Sequence, residues 1–148
     1  MKFIQKAKKL ITVLAAVAIL MVVPGLCSLE VSAEGPVTYA VKYVPDSGNW
    51  RYQANTSSFN DNAYHMDLYS LRLGLKDGDL VVVYNDSDAV PALDLGTTRL
   101  GNLTVTDSAS FVVIYSGDIS ECYLLGGASC SINGNVANAY VYDTVLCS

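Results

Sequence analysis

Residues 100–148 hold three successive copies of one short unit, and that repeat narrows the folds open to the chain more than any other feature. In register the copies read Leu100-x-x-Leu103-x-Val105-x-Asp107-x-Ala109-x-Phe111-x-Val113, then Ile119-x-x-Cys122-x-Leu124-x-Gly126-x-Ala128-x-Cys130-x-Ile132, then Val136-x-x-Ala139-x-Val141-x-Asp143-x-Val145-x-Cys147. The first step is 19 residues and the second is 17. Within each copy apolar residues fall on every second position, the period of a strand with one buried face. One such strand cannot hide that face alone, whereas copies stacked as hydrogen-bonded neighbours bury one another's rows. The expected fold is mainly β, a short parallel β-solenoid of about three rungs.

Stacking the copies sets Leu103, Cys122 and Ala139 in one inward row, Val105, Leu124 and Val141 in a second, and Phe111, Cys130 and Cys147 in a third. Asp107, Gly126 and Asp143 share a corner row, since Asp and Gly accept turn backbone that β-branched residues resist. Gly117-Asp118 and Gly134-Asn135 mark a second corner, and the two extra residues of the first copy fall around 114–116. Alternation alone also fits an antiparallel meander or a sandwich edge. The register of whole units favours the solenoid.

Gly117-Asp118-Ile119 and Gly134-Asn135-Val136, each following an x-Val-x-Ile or x-Cys-x-Ile run, resemble the glycine-punctuated repeats of the bactofilin family. The resemblance implies a right-handed β-helix that polymerises end to end. It covers residues 100–148. The export signal and the large N-terminal segment lie outside the bactofilin pattern.

Residues 1–33 read as a secretory signal peptide. Lys2, Lys6, Lys8 and Lys9 precede an apolar run at 10–23, Pro24-Gly25 breaks it, and Val31-Ser32-Ala33 offers small residues for cleavage before Glu34. The run is 14 residues, short of the roughly 20 that a spanning helix needs. An uncleaved segment acting as a membrane anchor is the competing reading. Cys27 does not make a lipoprotein signal, because Leu26 stands where a small residue is required. In either case the remainder is expected outside the cytoplasm, secreted or on the cell surface, as for an exported bacterial protein.

Without that segment, five cationic side chains face 13 acidic ones, a net charge of −8. Such a surface repels nucleic acid and anionic lipid, so a DNA or RNA partner is disfavoured. The 115 residues suit one domain, or a cap at 34–99 followed by the repeats of 100–148.

The cap reads as α/β, a hairpin plus one amphipathic helix. Val37-x-Tyr39-x-Val41-x-Tyr43, the turn residues Pro45-Asp46-Ser47-Gly48, and Trp50-x-Tyr52 predict the hairpin. Tyr64, Leu68, Leu71 and Leu75 predict a helix of about three turns, capped at Asn60 or Asp61 and stopped on a left-handed Gly74. Leu71, Leu73 and Leu75 also alternate, which keeps a strand open there. Leu80-Val81-Val82-Val83-Tyr84 predicts a buried strand. Residues 80–99 fit a degenerate first rung, with Val81 and Val83 over Leu103 and Val105 and the helix covering the leading end.

The trailing end has no comparable cover, and residues 136–148 carry one charge, Asp143. An open edge strand is expected, with Val141, Val145 and Cys147 as association residues; a shortened relative of longer arrays is the competing reading. Catalytic machinery is not expected. His65 is the sole histidine, which excludes a multi-histidine zinc site. Asp77, Asp79, Asp86 and Asp88 miss the spacing of a Ca²⁺ loop, so no metal or cofactor is expected. Cys130 and Cys147 share a row and are a candidate disulfide, with small apolar filler as the alternative. Trp50 and Tyr52 are candidate sugar-stacking residues, with core as the alternative. The sequence thus points to an exported, non-enzymatic structural or adhesive protein, self-associating or bound to a surface protein or glycan. A carbohydrate-binding module is the second reading.

Overall fold

The computed structural model describes residues 35–106 and 111–142. The expected signal segment at 1–33 and the residues Asp107, Ala109, Asp143, Val145 and Cys147 lie outside them. The alternating N-terminal stretch forms a hairpin of β1 (Thr38–Val44) and β2 (Asn49–Ala54), with Val41 opposite Tyr52 and Tyr43 opposite Trp50. Gly48 closes the turn at a φ of 64°, a value that costs glycine little. A two-residue strand, β3 (Met66–Asp67), pairs antiparallel with β2 and leads directly into α1 (Leu68–Gly74).

That helix is shorter than its apolar spacing implies. Asp67, not Asn60 or Asp61, is its cap, accepting the Ser70 N–H at 2.9 Å. Pairing of Met66 and Asp67 with β2 holds the preceding residues extended, so Tyr64 stays outside the helix and is exposed. Gly74 is not left-handed; the helix ends because Leu75 turns extended while its N–H still reaches the Leu71 carbonyl at 2.9 Å. Leu71 and Leu75 remain the buried stripe.

The coil follows. Strands β4 (Leu80–Tyr84), β5 (Ala92–Asp94), β6 (Leu100–Thr106), β7 (Val112–Tyr115), β8 (Ile119–Leu125), β9 (Cys130–Asn133) and β10 (Val136–Tyr142) alternate between two parallel sheets. The larger sheet runs β10-β8-β6-β4-β1-β2-β3 and the smaller β5-β7-β9. This is a β-solenoid of three turns whose fourth begins with β10. Val81 stacks on Leu103 and Val83 on Val105, so the coil starts at Leu80. The hairpin continues the larger sheet: β1 lies parallel to β4, with Tyr39 beside Val81 and Val41 beside Val83. The core fills the space between the sheets, and Val81, Val83, Leu93, Leu103, Val105, Val112 and Ile114 are all fully buried.

The smaller sheet corrects one expected row. Val112, not Phe111, pairs with Cys130, and Ile114 pairs with Ile132. Phe111 and Tyr115 face out, at 39 % and 46 % exposure. Residues 111–115 are apolar throughout, so alternation could not say which set points in; pairing with β9 decides it. One extra residue of the first copy therefore falls before Val112 and the other between Tyr115 and Ile119, rather than both around 114–116.

The corners explain the glycines. A Cβ on Gly117 would stand 2.4 Å from the Thr97 carbonyl oxygen, and one on Gly134 would stand 2.6 Å from that of Ser116. Successive rungs pass too closely there for any side chain. Beside them Arg99 Nε lies 3.5 Å from Asp118, which accepts from Asn135 Nδ2 at 2.9 Å, so the corner residues tie three rungs together.

Candidate functional site

The two ends of the coil differ. At the leading end, both sheets are covered by the cap. The larger sheet has β1 and β2 beyond β4. In the smaller, Trp50 Nε1 donates to the Ala92 carbonyl of β5 at 2.8 Å, and Arg72 of α1 pairs with Asp94 at 3.2 Å. Asp79, buried to 2 % exposure, binds the cap to the coil by accepting the N–H groups of Val37 and Lys76 at 2.9 and 2.8 Å.

At the trailing end β10 is the last strand of its sheet among the described residues. Its inward row shows the consequence: Val41, Val83 and Val105 are fully buried, Leu124 is half-buried, and Val141 is 72 % exposed. Ala139 is exposed as well, and Cys130 and Ile132 of β9 are half-buried. The Tyr142 carbonyl accepts the Gly126 N–H, so the main-chain groups of Tyr142 face β8. By strand alternation those of Ala139 and Val141 face away from it. The stretch from Cys122 to Tyr142 carries no charged side chain, and so lacks the lysines by which natural edge strands resist pairing.

The outer face of this end carries a ladder of tyrosines. Tyr123 stacks on Tyr140 with ring centres 4.9 Å apart and planes at 16°, and on Tyr142 at 6.2 Å. The Tyr123 hydroxyl donates to Glu121 Oε2 at 2.8 Å, and that bond pushes its pKa up to about 12. The ladder was not anticipated from the sequence. Its signal was available, since Tyr123 and Tyr140 are separated by the repeat step of 17 residues and sit between inward positions.

Of the expected association residues, Val141 stands on the open edge, and Val145 and Cys147 lie outside the described residues. Cys122 and Cys130 are free thiols; the second partner of the candidate disulfide, Cys147, is not among the described residues. Burial pushes the Cys130 thiol up to about 11, with Cys122 adding to it, which leaves no thiolate to act as a nucleophile at neutral pH. Trp50 and Tyr52 are both 5 % exposed and belong to the core, so neither presents a ring face to a sugar. Trp50 only helps line a hollow of about 440 Å³ beside Arg51, Asp67 and Tyr69.

The remaining candidates have structural partners. His65 precedes the helix instead of lying in it, stacked on Phe59 at 5.1 Å with Nε2 3.1 Å from the Asp61 carbonyl. Lys42 bridges Asp61 and Asp86 at 2.9 and 3.0 Å. Asp77 accepts the Arg99 N–H at 3.1 Å. No group of three potential metal ligands occurs among the described residues. Compared with protein-family models, with curated proteins and with solved structures, the chain finds no match in any of the three.

Proposed function

We propose that this chain is an exported, non-enzymatic structural or adhesive protein that associates through the open end of its solenoid. The observation that carries the reading is β10, an uncharged edge strand whose inward row ends on a valine at 72 % exposure. A strand with free main-chain donors and acceptors and an apolar row beside them is a template for another strand. The likeness of residues 100–148 to bactofilin repeats, which polymerise end to end, supports the same reading. The signal-like pattern of residues 1–33 supports a secreted or cell-surface location, with a membrane contact only where that segment stays uncleaved. The partner is a copy of the chain or a surface protein or glycan; the acidic balance argues against nucleic acid. No cofactor is required for such a role.

The test is the mass of residues 34–148 in solution by light scattering across concentration. Val141→Lys tests the edge without disturbing the fold, because the side chain it replaces is exposed. Losing the burial of one valine removes about 1.5–3 kcal/mol from the association, roughly 10- to 100-fold in affinity. Ala139→Pro, which deletes an N–H facing the open side, should act in the same direction. A wild-type chain that stays monomeric at every concentration, or a Val141→Lys chain that associates as well as wild type, would overturn the reading.

A further inference from the structure

Resting on that association, we infer that the occupant of the edge is a second copy of this chain, docked tail to tail about a two-fold axis at Tyr140, so that assembly closes at a dimer.

The leading end supplies the first reason. A head-to-tail filament needs a free leading strand to lie parallel to β10 of the next copy. Among the described residues no such strand is free: β1 and β2 extend the larger sheet beyond β4, its far edge is the two-residue β3, and Trp50 and Arg72 occupy the leading side of β5. A heterologous contact therefore lacks its acceptor. An isologous one uses the same free surface twice.

The edge itself is self-complementary. Ala139 and Val141 direct their main-chain groups outward. With an antiparallel second copy centred on Tyr140, Ala139 of each copy lies opposite Val141 of the other, and each pair exchanges two N–H···O=C bonds. The pairing sets a small side chain against a larger one on the inward face. It also keeps the interior rows of both copies on the same side of the continuous sheet. A slip of one residue would turn the second copy's interior to the opposite face.

On the outer face Tyr140 meets Tyr140 of the second copy at a non-hydrogen-bonded position, where facing side chains come closest. The existing stack of Tyr123 on Tyr140, 4.9 Å between ring centres, would run on into the same stack in reverse. Because residues 122–142 are uncharged, no like charges are brought opposite one another, although the chain as a whole is acidic.

The experiment uses residues 34–148; all described core contacts fall within the compact unit at 36–148. Sedimentation equilibrium should show a reversible rise that levels at twice the monomer mass. Ala139→Asp and Val141→Lys chains should each shift to monomer at concentrations where the wild type is dimeric. Mixed in equal amounts they should recover dimers, because one junction then sets the introduced carboxylate against the introduced ammonium and the other keeps the native Ala139 and Val141 pair. Mass that climbs without a plateau, or a dimer whose two variants fail to rescue each other, overturns the two-fold geometry while leaving end association standing. A wild-type chain with no association at any concentration overturns both.

Discussion

Trp50 joins the two sheets through a single nitrogen. Its indole N–H satisfies the Ala92 carbonyl of β5 from a position in β2, 42 residues earlier, and its ring packs edge-on against Tyr43 at 5.4 Å. Trp50→Phe keeps most of the apolar volume and leaves that carbonyl unpaired at the sheet edge. The expected cost is about 1–3 kcal/mol, read as a lower midpoint in urea denaturation with little change in slope. No change in midpoint would mean that water replaces the bond without penalty. At this scale the sequence was only partly legible. The alternating tyrosines and Trp50 marked a hairpin, but nothing local distinguishes a core tryptophan from an exposed one, since the partner that buries it lies far along the chain. Phe111 and Val112 pose the same problem, because neighbouring apolar residues offer both faces equally.

Among the elements, the corner between β7 and β8 is set by close approach of backbone. Gly117 is required because a Cβ would meet the Thr97 oxygen at 2.4 Å, and not because of a positive φ. Gly117→Ala should therefore push two rungs apart and lower stability by about 1–3 kcal/mol, seen as a fall in Tm by calorimetry; an unchanged Tm would show that the corner yields freely. The sequence named this corner correctly, from Gly117-Asp118 and Gly134-Asn135 recurring at one position of the unit. It misjudged α1 because periodicity reports which residues share a face, not where a helix begins. Two residues pairing with β2 and a cap at Asp67 set that boundary.

Across the whole molecule, charge is unevenly distributed. Acidic residues are spread over the cap and the first rungs, whereas residues 122–142 carry no charge. Two copies meeting at the trailing end would repel one another through their distant charges and not through the contact itself. Salt should then strengthen association, because screening over a Debye length of about 8–10 Å removes that repulsion and leaves the apolar and main-chain contacts intact. Sedimentation at low and high ionic strength reads this directly; an association weakened by salt would point to a charged contact elsewhere.

The sequence by itself determined the solenoid: a strand period repeated in whole units can bury its apolar rows only by stacking, so the larger sheet's register, its inward residues and its glycine corners followed. The same repeat made the trailing strand's neutrality visible. What only the tertiary structure decided was how the leading end is closed and which apolar side chains of the smaller sheet turn inward. Both depend on contacts between segments remote in the chain: β1 lying parallel to β4, Trp50 reaching β5, and Val112 pairing with Cys130. A local pattern records the face a strand offers, and the burial of that face is settled by whatever packs against it.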